Sequence, residues 1–314
     1  MDYTQEYKEL LEIYRQAEGN PAVFADQKVA HLIVHQNRVL GSHLVPGLDV
    51  SPRETADGVD LKIKVLPGVK IEFPVHLCFG VLPKEGVQRI NIETEVGEEA
   101  GVSLLAHCIF PNAIKVQHLM EATIVVRKNG FYRYNETHFH GEEGGVVVVP
   151  KARITLDEGA RLETYFQLTK GKVGRLEIDY EVEAGKNAVA EMIAKAYGYG
   201  QDLIKIKERC VLKGDGSRGI IKSRVAVKED ASSEVYSEIA AYGRQSRGHV
   251  DCVEILQGKA RARAVPIVDV FEETAKITHE AAIGSVDKQQ LETLMARGVR
   301  QDEAVDIIIK GMLK

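Results

Sequence analysis

In this 314-residue sequence the densest run of possible metal ligands is His138-Phe139-His140-Gly141-Glu142-Glu143. On a β-strand, residues two apart share a face, so His138 and His140 can address one ion with a carboxylate nearby, as in a mononuclear metal protein. No third ligand stands at the offset such a motif needs. The competing reading is two polar residues on the solvated face of a strand. A second set is spread over the C-terminal third: Cys252, within His249-Val250-Asp251-Cys252-Val253-Glu254-Ile255-Leu256, and then His279-Glu280. Thiolate, imidazole and carboxylate all bind iron, and thiolate is the usual ligand of iron–sulfur centres. One thiol cannot hold a cluster unaided. It needs the His and Glu of its own chain, or the same residues of a second subunit across a two-fold axis. A lone strand cysteine also reads as a small core hydrophobe. Cys78 and Cys108 are assigned to core packing, as is Cys210, with an internal sulfur path as its alternative.

Other chemistries are excluded by what is missing. The four cysteines are 30, 102 and 42 residues apart, which leaves neither a C-x-x-C pair nor a zinc-ribbon spacing. No G-x-x-x-x-G-K-[ST] or G-x-S-x-G occurs. Gly214-Asp215-Gly216-Ser217-Arg218-Gly219 has the letters of a dinucleotide loop, but Ile220, Ile221, Val225 and Val227 follow as a strand, so the helix N-terminus that would bind phosphate is lacking. The chain is therefore expected not to be an enzyme that hydrolyses nucleotides. Its 41 Lys and Arg against 46 Asp and Glu give a net charge of −5, which disfavours nucleic acid or an anionic membrane as partner. The acidic opening Met1-Asp2-Tyr3-Thr4-Gln5-Glu6 has no apolar leader, and no stretch approaches a membrane span, so a cytoplasmic protein with reduced thiols is expected.

The elements that must position these groups separate by periodicity. Residues 1–58 read as a small, partly helical N-terminal region: Tyr3, Tyr7, Leu10, Leu11 and Tyr14 form a helical stripe that Gly19-Asn20-Pro21 ends, and a second short helical pattern covers Phe24 to Ala30. From Val59 to Gly284 the pattern has period two, as in Leu61-Ile63-Val65 and Leu176-Ile178-Tyr180-Val182, without a regular series of crossover helices. This predicts an all-β core over residues 59–284. An acidic-small turn recurs at Glu99-Ala100-Gly101, Glu158-Gly159-Ala160, Glu183-Ala184-Gly185 and Glu229-Asp230-Ala231, loosely fitting a unit near 25 residues. Such a repeat favours a parallel β-helix, with a β-sandwich as the alternative. Residues 285–314 return to helical spacing. Asp287 and Gln290 start one helix, Gly298 closes it, and Ala304, Val305, Ile308, Ile309 and Met312 stripe a second. The apolar side of this hairpin needs the β body or another protein.

The run His279-Glu280-Ala281-Ala282-Ile283-Gly284, followed by Gln290-Leu291, Arg297-Gly298 and Glu303-Ala304-Val305-Asp306-Ile307-Ile308, resembles the C-terminal signature of the SufB and SufD proteins, scaffold components of the SUF iron–sulfur cluster assembly machinery. The resemblance runs from about Gly86 to Lys314 and is most specific over residues 249–314. Ala282 stands where the family motif has Thr. The resemblance implies a right-handed parallel β-helix, pairing of two such chains through their β-helices as a homodimer, and docking of a SufC-like ABC ATPase on residues 287–314. It also implies a transient iron–sulfur cluster held by Cys252, His279 and Glu280 and passed to acceptor proteins. Cys252 matches the position of the SufB cysteine that accepts sulfur or holds the cluster, and His279 a histidine present in both partners. Glu280 matches the SufB glutamate. The alternative within the family is a SufD-like structural subunit without its own cluster. The N-terminal cysteines of longer SufB chains have no counterpart here, which points to a simpler, archaeal-type pair of scaffold and ATPase.

Overall fold

The computed structural model describes residues 3–17 and 19–313; Met1, Asp2, Glu18 and Lys314 lie outside the described residues. Helix α1 (Tyr3–Gln16) and a 3-10 turn (Pro21–Ala25) precede β1 (His31–His35), β2 (Arg38–His43), β3 (Leu48–Glu54), β4 (Gly58–Val65), β5 (Val75–Gly80) and β6 (Glu85–Val96). Then come β7 (Gly101–Phe110), β8 (Lys115–Val126), β9 (Phe131–His140), β10 (Val146–Leu156), β11 (Arg161–Leu168), β12 (Arg175–Ala184) and β13 (Val189–Gly198). The last strands are β14 (Leu203–Leu212), β15 (Arg218–Glu229), β16 (Ser232–Ala241), β17 (Arg247–Gly258), β18 (Arg261–Val270) and β19 (Lys276–Gly284), followed by α2 (Lys288–Ala296) and α3 (Gln301–Met312).

From β4 onward successive strands alternate between two sheets. One has the order β19-β17-β15-β13-β11-β9-β7-β5-β1-β2 and the other β18-β16-β14-β12-β10-β8-β6-β4-β3. Within each sheet the coils stack in parallel, giving a β-helix of about eight turns. Buried parallel sheets usually read as continuous apolar runs because helices cover both faces. Here most outer faces meet solvent, so the strands alternate strictly; β9 buries Tyr132, Tyr134, Glu136, His138 and His140 while their neighbours face outward. The inward residues of both sheets form one continuous core.

The repeat is longer than the turn motifs suggest. Val189 lies beside Arg161, Arg218 beside Val189 and Arg247 beside Arg218, so a turn there takes 28 or 29 residues; Phe131 beside Gly101 gives 30. The true marker is a corner column at left-handed φ: Glu99, Asn129, Gly159, Asn187, Gly216 and Gln245. Each N–H in it donates to the next coil, as Asn129 does to the Glu158 carbonyl and Gly159 to that of Lys186. Glycine is favoured at 159, where a Cβ would stand 2.2 Å from Asn129 Oδ1 and displace that side chain. Glu183 lies within β12, and Glu229 occupies a different corner beside Gly258, so the four motifs are not one column. The 25-residue unit came from mixing corners.

The β body also begins earlier than Val59. β1 pairs in parallel with β5, and β3 joins β4. All five residues of β1 are buried, one face on the core and the other under α1, so the stretch lacks the alternation that marks the other strands. The Phe24–Ala30 helical pattern is realised only as the 3-10 turn. At the other end, α3 lays Val305, Ile309 and Leu313 on the outer face of the first sheet, against Tyr197 and Ala226. Asp306 accepts from Tyr197 Oη at 2.7 Å and from Lys228 Nζ at 2.9 Å. No helix among the described residues is long and apolar enough to cross a membrane.

Candidate metal centres

β17 and β19 position the C-terminal group. Val250 pairs with His279, Asp251 with Glu280 and Cys252 with Ala281. Paired residues in a parallel ladder share a face and successive residues alternate, so Cys252 and His279 lie on the core face and Glu280 on the outer face. Within one chain the register thus brings thiol and imidazole to one side and sends the carboxylate to the other. Cys252 is 2% exposed, whereas His279 and Glu280 are open to solvent because β19 is the terminal strand of its sheet. Burial pushes the Cys252 thiol up to about 12; Glu254 and Asp251 add to this and Arg224 opposes it. The sulfur is therefore protonated until a cation displaces the proton. Beneath it the core is polar, with Glu254 accepting from Ser233 Oγ and Glu208 buried further in. Burial pushes the Glu208 carboxyl up to about 8.

A second group lies deep in the middle coils. Cys108 on β7 pairs with His138 on β9, His118 reaches across from β8 in the facing sheet, and Glu136 lies one face-position before His138. Their donor atoms all fall within 4.8 Å of one another, and all four side chains are buried. His140 Nδ1 is 3.0 Å from the Lys172 carbonyl, which can only accept, so that nitrogen carries the proton. Burial holds His138 and His140 neutral, lowering both to about 3. His140 Nε2 is then an acceptor and takes a hydrogen bond from His138 Nδ1 at 3.2 Å. This leaves His138 Nε2 with a lone pair, 2.6 Å from Glu136 Oε1. Burial raises the Glu136 carboxyl to about 7, which favours a shared proton between that oxygen and the ring nitrogen. The Cys108 thiol donates to the same oxygen at 3.7 Å, and burial with the Glu136 charge raises it well above the usual thiol range. Neither ring nitrogen of His118 has a partner, and burial lowers this ring to about 3.

His138 and His140 are therefore interior groups, not residues of a solvated strand face. Their carboxylate is Glu136, while Glu142 is an exposed acceptor for Tyr199 Oη at 2.7 Å. Sequence spacing does not single out Cys108 and His118, because each reads alone as a core residue. The available signal was the alternation Tyr132-Tyr134-Glu136-His138-His140, which puts a carboxylate and two imidazoles on one aromatic, hence inward, face. Cys78 keeps its packing role, among Leu10, Ile13 and Tyr14 beneath α1, and Cys210 is a fully buried core residue beside Gly219.

Fold and side chains together define a class: a parallel β-helix protein with thiol, imidazole and carboxylate side chains gathered both inside its core and at its open C-terminal coil. The family described as SUF system FeS cluster assembly, SufBD core domain, matches residues 84–312. An iron–sulfur cluster assembly SufBD family protein of Methanocaldococcus jannaschii is 37% identical over 313 residues, covering all of this chain and 99% of the relative. One from Pyrococcus horikoshii is 34% identical over 313 residues, covering 95% of that protein. The iron–sulfur cluster assembly protein SufB of Bacillus subtilis is 25% identical over 262 residues, which are 80% of this chain and 54% of that protein. The chain belongs to the SufBD family and so to iron–sulfur cluster assembly.

Proposed function

We propose that this protein is the scaffold on which a nascent iron–sulfur cluster, its cargo, is held at the C-terminal coil and handed on. The observation that carries this reading is the position of Cys252, at the last fully covered coil, directly under the exposed edge strand that bears His279 and Glu280. Buried ligands bind permanently, whereas a thiol one strand from solvent with exchangeable imidazole and carboxylate neighbours can bind and release. Because Glu280 leaves β19 on the other face, a complete ligand set takes its carboxylate from a second copy. The terminal strands β18 and β19 have no partner on their outer edges among the described residues, and such edges are ready-made pairing surfaces. This supports a homodimer through the ends of the β-helices.

The protein acts in this reading as a non-enzymatic, cytoplasmic scaffold, and a SufC-like ABC ATPase supplies nucleotide hydrolysis. The hairpin of residues 287–314 gives one side to its own β body. Met295 and Ile307 are exposed on the hairpin, and a cleft lined by Leu294, Ile307 and Met312 opens between it and the β17–β19 edge, where Ile255 and Ile283 also line it. Anaerobic reconstitution of wild type and Cys252→Ala, with iron and sulfide counted, tests the site; equal cluster content in both refutes it. The SufD-like alternative, a structural subunit without a cluster, draws on the protonated, buried state of the Cys252 thiol. It predicts no cluster in the wild-type homodimer.

A further inference from the structure

We propose that Cys108, His118, Glu136 and His138 form a closed four-ligand site for one divalent transition ion, zinc or ferrous iron, resident inside the β-helix and distinct from the cluster cargo. The first support is an imidazole with nothing to bind. His118 is fully buried and both its ring nitrogens lack a hydrogen-bond partner. A buried polar group without a partner has lost its hydration and gained nothing in return. One Lewis acid among the four groups would satisfy a nitrogen of His118, the lone pair of His138 Nε2 and the carboxylate together.

The second support is the fixed tautomer. The chain of bonds from the Lys172 carbonyl through His140 to His138 Nδ1 turns the unprotonated Nε2 of His138 into the cluster. This is the arrangement by which an outer hydrogen bond orients a ligating histidine. It makes His140 a positioning residue and not a ligand.

Size and charge agree. A tetrahedral ion with metal–ligand bonds of about 2.0–2.3 Å places its donors roughly 3.3–3.8 Å apart. The donor atoms here lie within 4.8 Å of one another, with His138 Nε2 and Glu136 Oε1 at 2.6 Å, so side-chain shifts of about 1 Å bring them to that shell. In the bound state Cys108 is a thiolate and Glu136 a carboxylate. A dication with one thiolate and one carboxylate is then net neutral, which removes the main cost of burying charge in a low-dielectric core. Two imidazoles, a thiolate and a carboxylate suit zinc or ferrous iron and not magnesium or calcium. Four protein ligands leave no open position, so the ion ties β7 and β9 to β8 of the facing sheet and does no catalysis. A surface cleft of about 1150 Å³ reaches His140, one ring from the site.

The test uses full-length protein stripped with a chelator under reducing, anaerobic conditions and then titrated separately with zinc, ferrous and cobaltous ions. One equivalent should bind, cobalt should show a thiolate-to-metal charge-transfer band with tetrahedral d–d bands, and Tm should rise. Cys108→Ser should lose the charge-transfer band, and His118→Leu should bind at least about 100-fold more weakly, while His140→Phe weakens binding about 10–100-fold. Cys252→Ala should keep the full equivalent. Circular dichroism of metal-free His118→Leu guards against misfolding, and the wild-type cobalt spectrum stands without any variant. Absence of the charge-transfer band in wild type, full binding by His118→Leu, or loss of the ion in Cys252→Ala would each overturn the proposal.

Discussion

The middle coils and the C-terminal coil of this β-helix carry the same three chemistries in opposite surroundings. In the middle, Cys108, His118, Glu136 and His138 are all sealed within the core, and both sheets contribute. At the end, only Cys252 is covered, while His279 and Glu280 stand on an edge strand open to solvent. Ligand type is thus a poor guide to role. A sealed set with no open position suits a resident ion, and a half-open set at an unpaired edge suits cargo that must leave.

The most severe way to break this comparison is to exchange the two thiols' fates. Cys252→Ala should lower reconstituted iron and sulfide to background, while Cys108→Ala should still assemble cluster at the C-terminal coil. The reverse pattern in an anaerobic iron and sulfide assay would dissolve the division of labour.

Stability at the C-terminal end should depend on the covered side of α3. Ile309→Ala removes a fully buried side chain from the patch containing Tyr197 and Ala226 and should cost about 2–5 kcal/mol in urea unfolding. Ile307→Ala, on the exposed side, should change it by less than about 0.5 kcal/mol. Equal effects would mean that α3 is not packed as described.

Between the two centres, Glu208 offers a pH test. Its carboxyl rises to about 8 in the fold from a usual value near 4.5, so the native state holds the proton more tightly than the unfolded chain. The associated stability is fully present below about pH 4.5 and is lost as pH rises through 8, at up to about 1.4 kcal/mol per unit of pH. Glu208→Gln should flatten this decline in denaturant titrations from pH 5 to 9. An unchanged slope would show that Glu208 is ionised in the core.

The smallest expected change in the protein itself comes from Met295→Asp with Ile307→Asp. Unfolding free energy should move by less than about 0.5 kcal/mol, yet capture of a SufC-like ATPase should fail. Retained capture would refute docking on this face. Point variants are preferable to removing residues 287–314, because deletion would bare Tyr197 and Ala226 and take away the Asp306 contacts.

Much of the fold was legible locally. Strict alternation from Val59 to Gly284 is visible because most outer faces are solvated, and turns recur at each coil. The coil length was not legible, since left-handed corners accept Glu, Asn, Gln or Gly and so leave no single letter to count. β1 escaped because burial on both faces erases alternation. At the C-terminal coil, Cys252, His279 and Glu280 were found through a family signature, but only register separates the faces of Cys252 and Glu280.

The sequence by itself determined a β body, two flanking helical segments, and which residues of a strand share a face, because these depend on spacing along the chain; parallel winding was an expectation of the family resemblance. Tertiary structure alone decided that the His138 face points inward, that α3 packs on its own sheet, and that Cys108, His118 and Glu136 meet. Those ligands are ten and eighteen residues apart on three strands of two sheets. Only the stacking of one coil on the next, set by the length of each turn, brings them within reach of one ion.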